Sequence, residues 1–388
     1  MAVERAAPQV AMVAGEASGD LLAALLLDGL QARWPGVAAA GIGGPRMAQR
    51  GFAAWWASDR LAVHGYSFEV LRRLAELIRI RRQLRQRLLA ERPAAFIGVD
   101  APDFNLGLEA SLRAAGIKTV HFVCPSIWAW RAKRVEKIRR AADHVLCIFP
   151  FEPELLARHG IAATYVGHPL ARVIPIEPDR AAARARLGLA AGDEVLAVLP
   201  GSRSAEIDYI APRFFNAAAQ VQRARPAIKI VVPAVPGLRE RIERIARERG
   251  AAPKLQIVSG ESHTVLAACD VTLIASGTAT LEAALFKRPM VIGYAMHAIS
   301  WRLMRRRQLQ PWVGLPNILC GEFVVPELLQ DAATPQALAA AVLQWFDART
   351  QAPERLAALE RRFAALHHEL LRDTPRLAAD AIEKILAG

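Results

Sequence analysis

Short apolar runs alternate with longer stretches of helical spacing along the whole chain. Val10–Ala14, Ala94–Asp100, Lys118–Val123, Val145–Phe149 and Ala163–Val166 read as strands. The pattern then restarts with Glu194–Leu199, Ile228–Val232, Leu255–Val258, Val271–Ala275 and Met290–Gly293. Most are continuous apolar runs rather than strict alternations. Strands covered by helices on both faces look like this, so parallel sheets are expected. The stretches between them, such as Asp20–Trp34 and Pro212–Arg225, have helical periodicity. Alternating β and α units predict an α/β architecture. Prolines at 169, 175 and 178, followed by a short helix over Arg180–Leu187, mark a linker near 170–180. The chain is therefore expected to divide into residues 1–172 and 180–388. From about Pro335 it reads as helix to the end.

A length of 388 residues suits two domains, and 53% hydrophobic residues supply two cores, which excludes disorder. The charge changes the picture more. Lys and Arg number 50 against 37 Asp and Glu, a net +13 spread over both halves. That excess points to an anionic partner: nucleic acid, a lipid surface or a phosphorylated substrate. The four cysteines, at 124, 147, 269 and 320, show no CxxC spacing. Neither a disulfide framework nor a zinc site is expected, and a reducing cytoplasm is the natural compartment. The early apolar run Leu21–Leu27 is far short of the ~20 residues that span a bilayer. A soluble or peripheral protein is expected.

Several turns carry candidate chemistry. The first strand runs through Gly15, Glu16, Ala17, Ser18 and Gly19 to Asp20 and a helix, where small residues let a ligand approach free N–H groups. An ordinary turn capped by Ser18 or Asp20 fits equally well. The Gly41–Pro45 turn lacks a full GxGxxG spacing, and no acidic residue follows at the distance that holds a ribose, so a dehydrogenase is a poor reading. Asp100 closes an apolar strand, where its carboxylate reaches the rim of a sheet and can serve as general base for a hydroxyl. Asp103, after Pro102, reads as a helix cap. Trp128 and Trp130 beside a basic helix fit an acyl or sugar platform, and equally fit packing. Cys124 reads as a buried thiol and His168 as a hinge residue. In the second half, Gly201, Ser202 and Arg203 join a strand to a helix, with Arg203 able to fork onto a diphosphate. Ser276, Gly277 and Thr278 form a second such turn, with Glu282 one helical turn on and able to accept from ribose hydroxyls. Together they look like a nucleotide diphosphate site. No Walker A sequence and no metal-ligand cluster is visible, so no metal and no cofactor are expected.

Within Tyr66–Leu89, Val70, Leu74, Leu77 and Ile78 fall on one helical face among seven arginines, with Phe68 at the start. This is the pattern of an interfacial helix on anionic lipid, and Trp301 with its neighbouring arginines adds a second contact. A core-packed surface helix is the competing reading.

The sequence resembles the lipid-A-disaccharide synthase family of bacterial glycosyltransferases. The carrying stretches are VAGEASGD at 13–20, GGPRM at 43–47, GVDAPDFN at 98–105, CPSIWAWR at 124–131, FPFE at 149–152, VGHPL at 166–170, LPGSRSAEI at 199–207, SGTATLEAAL at 276–285 and LPNIL at 315–319. The resemblance implies two Rossmann-like doubly wound domains facing a cleft, the GT-B arrangement, with C-terminal helices exchanged in a homodimer. It implies metal-free, inverting transfer of 2,3-diacylglucosamine from its UDP derivative to diacylglucosamine 1-phosphate. It assigns Asp100 as base, and Ser202, Arg203, Ser276–Thr278, Glu282 and Asn317 to UDP. Gly15, Glu16 and Ser18 would lie near the transferred sugar. It also implies a cytoplasmic protein, peripheral on the inner membrane of a Gram-negative bacterium. Other UDP-N-acetylglucosamine transferases or epimerases of the same fold are the enzyme alternative. A nucleic-acid-binding protein is the alternative of another class, though no recognition motif for nucleic acid is present.

Overall fold

A computed structural model describes residues 7–15, 17–61, 68–129, 133–248, 254–306 and 308–387, without the side chains of 17, 59, 68–74, 299 and 300. The chain forms two compact units, Met1–Pro169 with Leu370–Gly388, and Leu170–Glu369.

The first unit is built on seven parallel strands: β1 (Gln9–Ala14), β2 (Ala38–Gly43), β3 (Ala53–Ala57), β4 (Ala95–Val99), β5 (Lys118–Phe122), β6 (His144–Cys147) and β7 (Ala163–Tyr165). Their order is β3-β2-β1-β4-β5-β6-β7. Every residue of β4, and all of β1 but Gln9, is buried, as continuous apolar runs require. The helix Phe68–Glu91 packs Ile80, Leu84 and Leu88 onto Ala11, Val13, Ile42 and Phe96. Its i, i+4, i+8 stripe is thus a core face, and removing Leu84 to Ala costs about 2–5 kcal/mol. The connections of β1 and β4 run to opposite sides of the sheet, so a crevice opens beyond their carboxyl ends. Gly15 and Asp100 follow those two ends, in adjacent register.

The second unit has six strands: β8 (Val195–Leu199), β9 (Lys229–Ala234), β10 (Leu255–Ser259), β11 (Val271–Ala275), β12 (Met290–Tyr294) and β13 (Glu327–Leu329). Their order, β10-β9-β8-β11-β12-β13, repeats the Rossmann-like pattern. Here the reversal lies between β8 and β11, above the 201–203 and 276–278 turns. The helix Pro335–Gln351, capped by Thr334 Oγ1 accepting from the Ala337 N–H at 3.1 Å, packs on the helix Ser204–Ala224. Its Trp345 indole donates to the Met290 carbonyl at 3.1 Å.

The two units divide at Pro169, at the start of the expected 170–180 linker, and the chain after Glu369 returns to the first unit. The helix Thr374–Ala387 lies on the helix Ala17–Arg33, where Gly29 has no Cβ to collide with Pro375. Arg33 pairs with Glu383, and Thr374 Oγ1 donates to the Val166 carbonyl at 2.8 Å. Within the chain, the helix Thr374–Ala387 thus packs on the first unit.

Candidate active site

The candidate site of the first unit sits at the ends of β1 and β4. A Cβ on Gly15 would lie 3.3 Å from Ala101 Cβ, so the glycine lets the two strand ends close up. Ser18 is exposed in the first turn of its helix, and Glu16 lies outside the described residues. Asp20 has a different task. Its buried carboxylate accepts from the N–H groups of Gly44, Arg46 and Met47 at 3.0, 2.9 and 3.2 Å. It anchors the short helix Pro45–Ala48, and a Cβ on Gly44 would press into it at 2.6 Å. The first two glycine-rich stretches are thus stitched together.

Asp100 is half-buried at the sheet rim, its N–H donating to the Phe122 carbonyl at 2.8 Å. Its backbone and that of Ala101 are left-handed, with φ +52° and +42°. Asn105 Nδ2 donates to the Asp100 carbonyl at 2.8 Å. Asp103 is exposed and paired with Arg134; Ala101 holds the cap position, and no side chain caps that helix. Pairing with a cation therefore replaces the expected capping role.

Trp128, expected at an acyl or membrane surface, is buried. Its indole donates to Glu152 Oε1 at 3.1 Å, and its ring meets Phe149 and Phe151 edge-on at 6.0 and 5.5 Å. Glu152 also accepts from the N–H groups of Ile148 and Phe149 at 3.2 and 3.0 Å. Burial pushes its pKa up to about 7, against those three donors. Trp128 is therefore a packing residue whose polar handle needs a buried acceptor. Trp130 lies outside the described residues. Cys124 is buried with its thiol pKa pushed up by burial, which removes the thiolate a nucleophile needs.

Of the proposed membrane face, the Phe68, Val70 and Leu74 side chains lie outside the described residues. Leu77 is half-buried, and Ile78 is 55% exposed beside the exposed Arg79 and Arg82. In the other unit Trp301 is half-buried in the helix Ala298–Arg305, next to the exposed Arg302 and Leu303. Among the described residues no helix is long and apolar enough to cross a membrane.

The candidate site of the second unit is a cavity of about 370 Å³ at the β8/β11 reversal. Ser202, Arg203, Ser276, Gly277, Thr278 and Glu282 all line it. Gly201 adopts φ +119°, and a Cβ there would lie 3.0 Å from Glu206 Cβ. Glu206 was not singled out in the sequence, although an acidic residue in a helix's first turn was the available signal. It accepts from the Ser202 N–H at 3.2 Å and holds Arg203 at 3.3 Å. The Arg203 side chain is 78% exposed, and such a pair is worth only about 0–1 kcal/mol, so the guanidinium turns to an anion at little cost. Glu282 lies 3.5 Å from His263 Nε2.

Asn317, expected to touch the nucleotide, has no side-chain group to spare. It is wholly buried, with Nδ2 donating to the Val325 carbonyl at 2.9 Å and to Glu327 Oε1 at 2.8 Å. Its Oδ1 accepts from the N–H groups of Val324 and Val325 at 2.9 and 3.0 Å. Glu327 in turn accepts from the N–H groups of Val313 and Gly314, both at 2.9 Å. Ser276 Oγ donates to the Val313 carbonyl at 3.2 Å. The amide is a clasp for the 313–327 loop, which backs the cavity wall at Ser276. Among the described residues no cluster of His, Cys, Asp and Glu has the makings of a metal site.

The chain is similar to known proteins. A family profile described as lipid-A-disaccharide synthetase matches residues 10–382. The chain is 73% identical over 379 residues to the lipid-A-disaccharide synthase of Verminephrobacter eiseniae, covering 98% of this chain and 97% of that one. It is 70% identical over 380 residues to that of Albidiferax ferrireducens, covering 98% of each. A solved structure of a putative UDP-N-acetylglucosamine 2-epimerase from Listeria monocytogenes superposes with TM-score 0.63 at 13% identity, over 97% of this chain and 94% of that one. The last likeness concerns the fold.

Proposed function

The chain belongs to the lipid-A-disaccharide synthase family, and from that premise we propose how its residues carry out the glycosyl transfer. The enzyme transfers 2,3-diacylglucosamine from its UDP derivative to the 6-hydroxyl of 2,3-diacylglucosamine 1-phosphate, releasing UDP. Inversion at the anomeric carbon needs a base on the acceptor hydroxyl and charge stabilisation on the departing diphosphate. Asp100 is the base. Arg203, together with the amides of Ser202 and of the Ser276–Thr278 turn, carries the developing negative charge. The helix N-termini at Ser204 and Thr278 add their positive ends. Glu282 takes ribose hydroxyls. Gly15 and Ser18, with Glu16 between them in sequence, are assigned to the transferred sugar. One observation carries the nucleotide half of this reading: the residues of two turns some 75 positions apart line a single cavity at the sheet's reversal.

The reading includes attachment to the inner face of the inner membrane, supported by the net charge of +13 and the exposed Ile78 among arginines. It also includes a homodimer, which the family resemblance supports. Ile78→Glu should lower co-sedimentation with anionic liposomes several-fold at unchanged melting temperature. Equal binding would remove this helix from the membrane face.

The deciding experiment incubates the protein with the two acylated glucosamine substrates and identifies the lipid by mass spectrometry. The disaccharide 1-phosphate and one UDP per product are expected. Turnover of non-acylated UDP-N-acetylglucosamine instead would move the protein to another transferase or epimerase activity.

A further inference from the structure

Beneath the Asp100 corner lies a group of polar side chains that the reaction, as read, does not use. Asn105, Glu109 and His121 are each wholly buried. Asn105 and Glu109 stand one turn apart on the helix Pro102–Ala114, and His121 is the β5 partner of Gly98. Gly98 makes room for them, since a Cβ there would collide with Glu109 Oε1 and Asn105 Cβ. Glu109 Oε1 and His121 Nδ1 are 2.7 Å apart. Burial raises the Glu109 pKa, opposed by the charge and hydrogen bond of His121. Among the described residues, Asn105 Oδ1, Glu109 Oε2 and His121 Nε2 find no partner.

A polar trio of this kind costs desolvation that leucines would avoid, so packing alone does not account for it. Among the described residues, its side-chain hydrogen bonds outside the trio run to the corner. Asn105 Nδ2 donates to the Asp100 carbonyl at 2.8 Å and lies 3.5 Å from that of Val99. Asp100 and Ala101 both hold left-handed backbones, which non-glycine residues keep only when their surroundings over-determine them. The φ and ψ of that corner set the direction of the Asp100 Cα–Cβ bond, and so the aim of its carboxylate.

We propose that Asn105 is the positioning residue of Asp100, and that the Glu109–His121 pair wedged on Gly98 fixes Asn105 in turn. The proposal rests on reading Asp100 as the base. Misplacing a reacting group by about 1 Å costs ~10²-fold, which sets the scale of the expected loss. Asn105→Ala should lower kcat by roughly 10–100-fold, leave KM for the UDP-sugar within about twofold, and move the acid limb of the pH–rate profile. Adding Ala101→Gly relieves the left-handed strain without restoring the amide. The double variant should regain melting temperature but not kcat. Wild-type kcat in Asn105→Ala, or joint recovery of both quantities in the double variant, overturns the proposal. If Asn105→Ala does not fold, Glu109→Gln serves: it keeps the shape, and should lower kcat about 3–10-fold at constant KM. An unchanged kcat there also overturns it. Asp100→Ala separates the two ideas. A fully active Asp100→Ala sinks the base reading, whereas an inactive Asp100→Ala beside a fully active Asn105→Ala sinks the positioning role alone.

Discussion

At the end of β4 the chain turns through two left-handed residues that are not glycines, and a buried amide ties the corner down from below. At the ends of β8 and β11 it turns instead through Gly201 and Gly277, with exposed Ser202 and Arg203 held by Glu206. The first corner is rigid and aimed. The second pair is open, and its polar groups have provisional partners. The difference suits the chemistry proposed for each. A base must meet one hydroxyl in one direction, whereas a diphosphate is gripped by several donors that adjust to it and must release it as product.

The largest effect expected is that of Asp100→Ala. Turnover should fall roughly 10²–10⁴-fold, the worth of a general base, with UDP affinity and melting temperature nearly unchanged. A parallel loss of UDP binding would mean the two regions are not distinct in role. Next, Arg203→Ala should weaken UDP binding by about 10–100-fold, since hydrogen bonds to charged groups are worth ~1.5–3 kcal/mol. Calorimetric titration showing unaltered UDP affinity would take Arg203 out of the site. A third expectation concerns pH and the first unit. Burial lowers the His168 pKa to about 4. Between pH 6.5 and 4 the unfolded chain binds a proton that the folded chain does not, so stability falls as pH drops through that window. Its slope is up to about 1.4 kcal/mol per pH unit. His168→Gln should flatten that slope in urea titrations at successive pH values. An identical slope in the variant would deny His168 the effect. The smallest change is Asp103→Asn. Asp103 itself is exposed, paired with Arg134 and remote from the proposed chemistry, so activity should stay within about twofold. A loss matching that of Asp100→Ala would dissolve the distinction between the two aspartates.

The long apolar strands β1, β4, β8 and β11 were readable because continuous burial writes itself as uninterrupted Val, Ile, Leu and Ala. β2 was missed because AAAGIG carries almost no strand preference of its own, and β13 because three residues give no period. The turns after β8 and β11 stood out by their small residues, and the cavity gathers what they contribute. The surroundings of Trp128 and Asn317 were not legible in the sequence, for a common reason. Whether a tryptophan faces solvent, or an asparagine has a free amide, depends on partners such as Glu152 and Glu327. Tertiary structure, not spacing, brings those partners in. The Thr374–Ala387 helix shows the same limit: its apolar face is visible in sequence, but the surface that receives it is not.

That helix also sets the order in which the protein can finish folding during synthesis. The second unit, Leu170–Glu369, is contiguous, whereas the first needs Leu370–Gly388 to cover the helix Ala17–Arg33. At about 5–20 residues per second, translating the intervening unit takes on the order of 10–40 seconds. Through that interval the nascent first unit has all its strands but an uncovered notch at Gly29, where Pro375 will seat. The unit made first is therefore completed last.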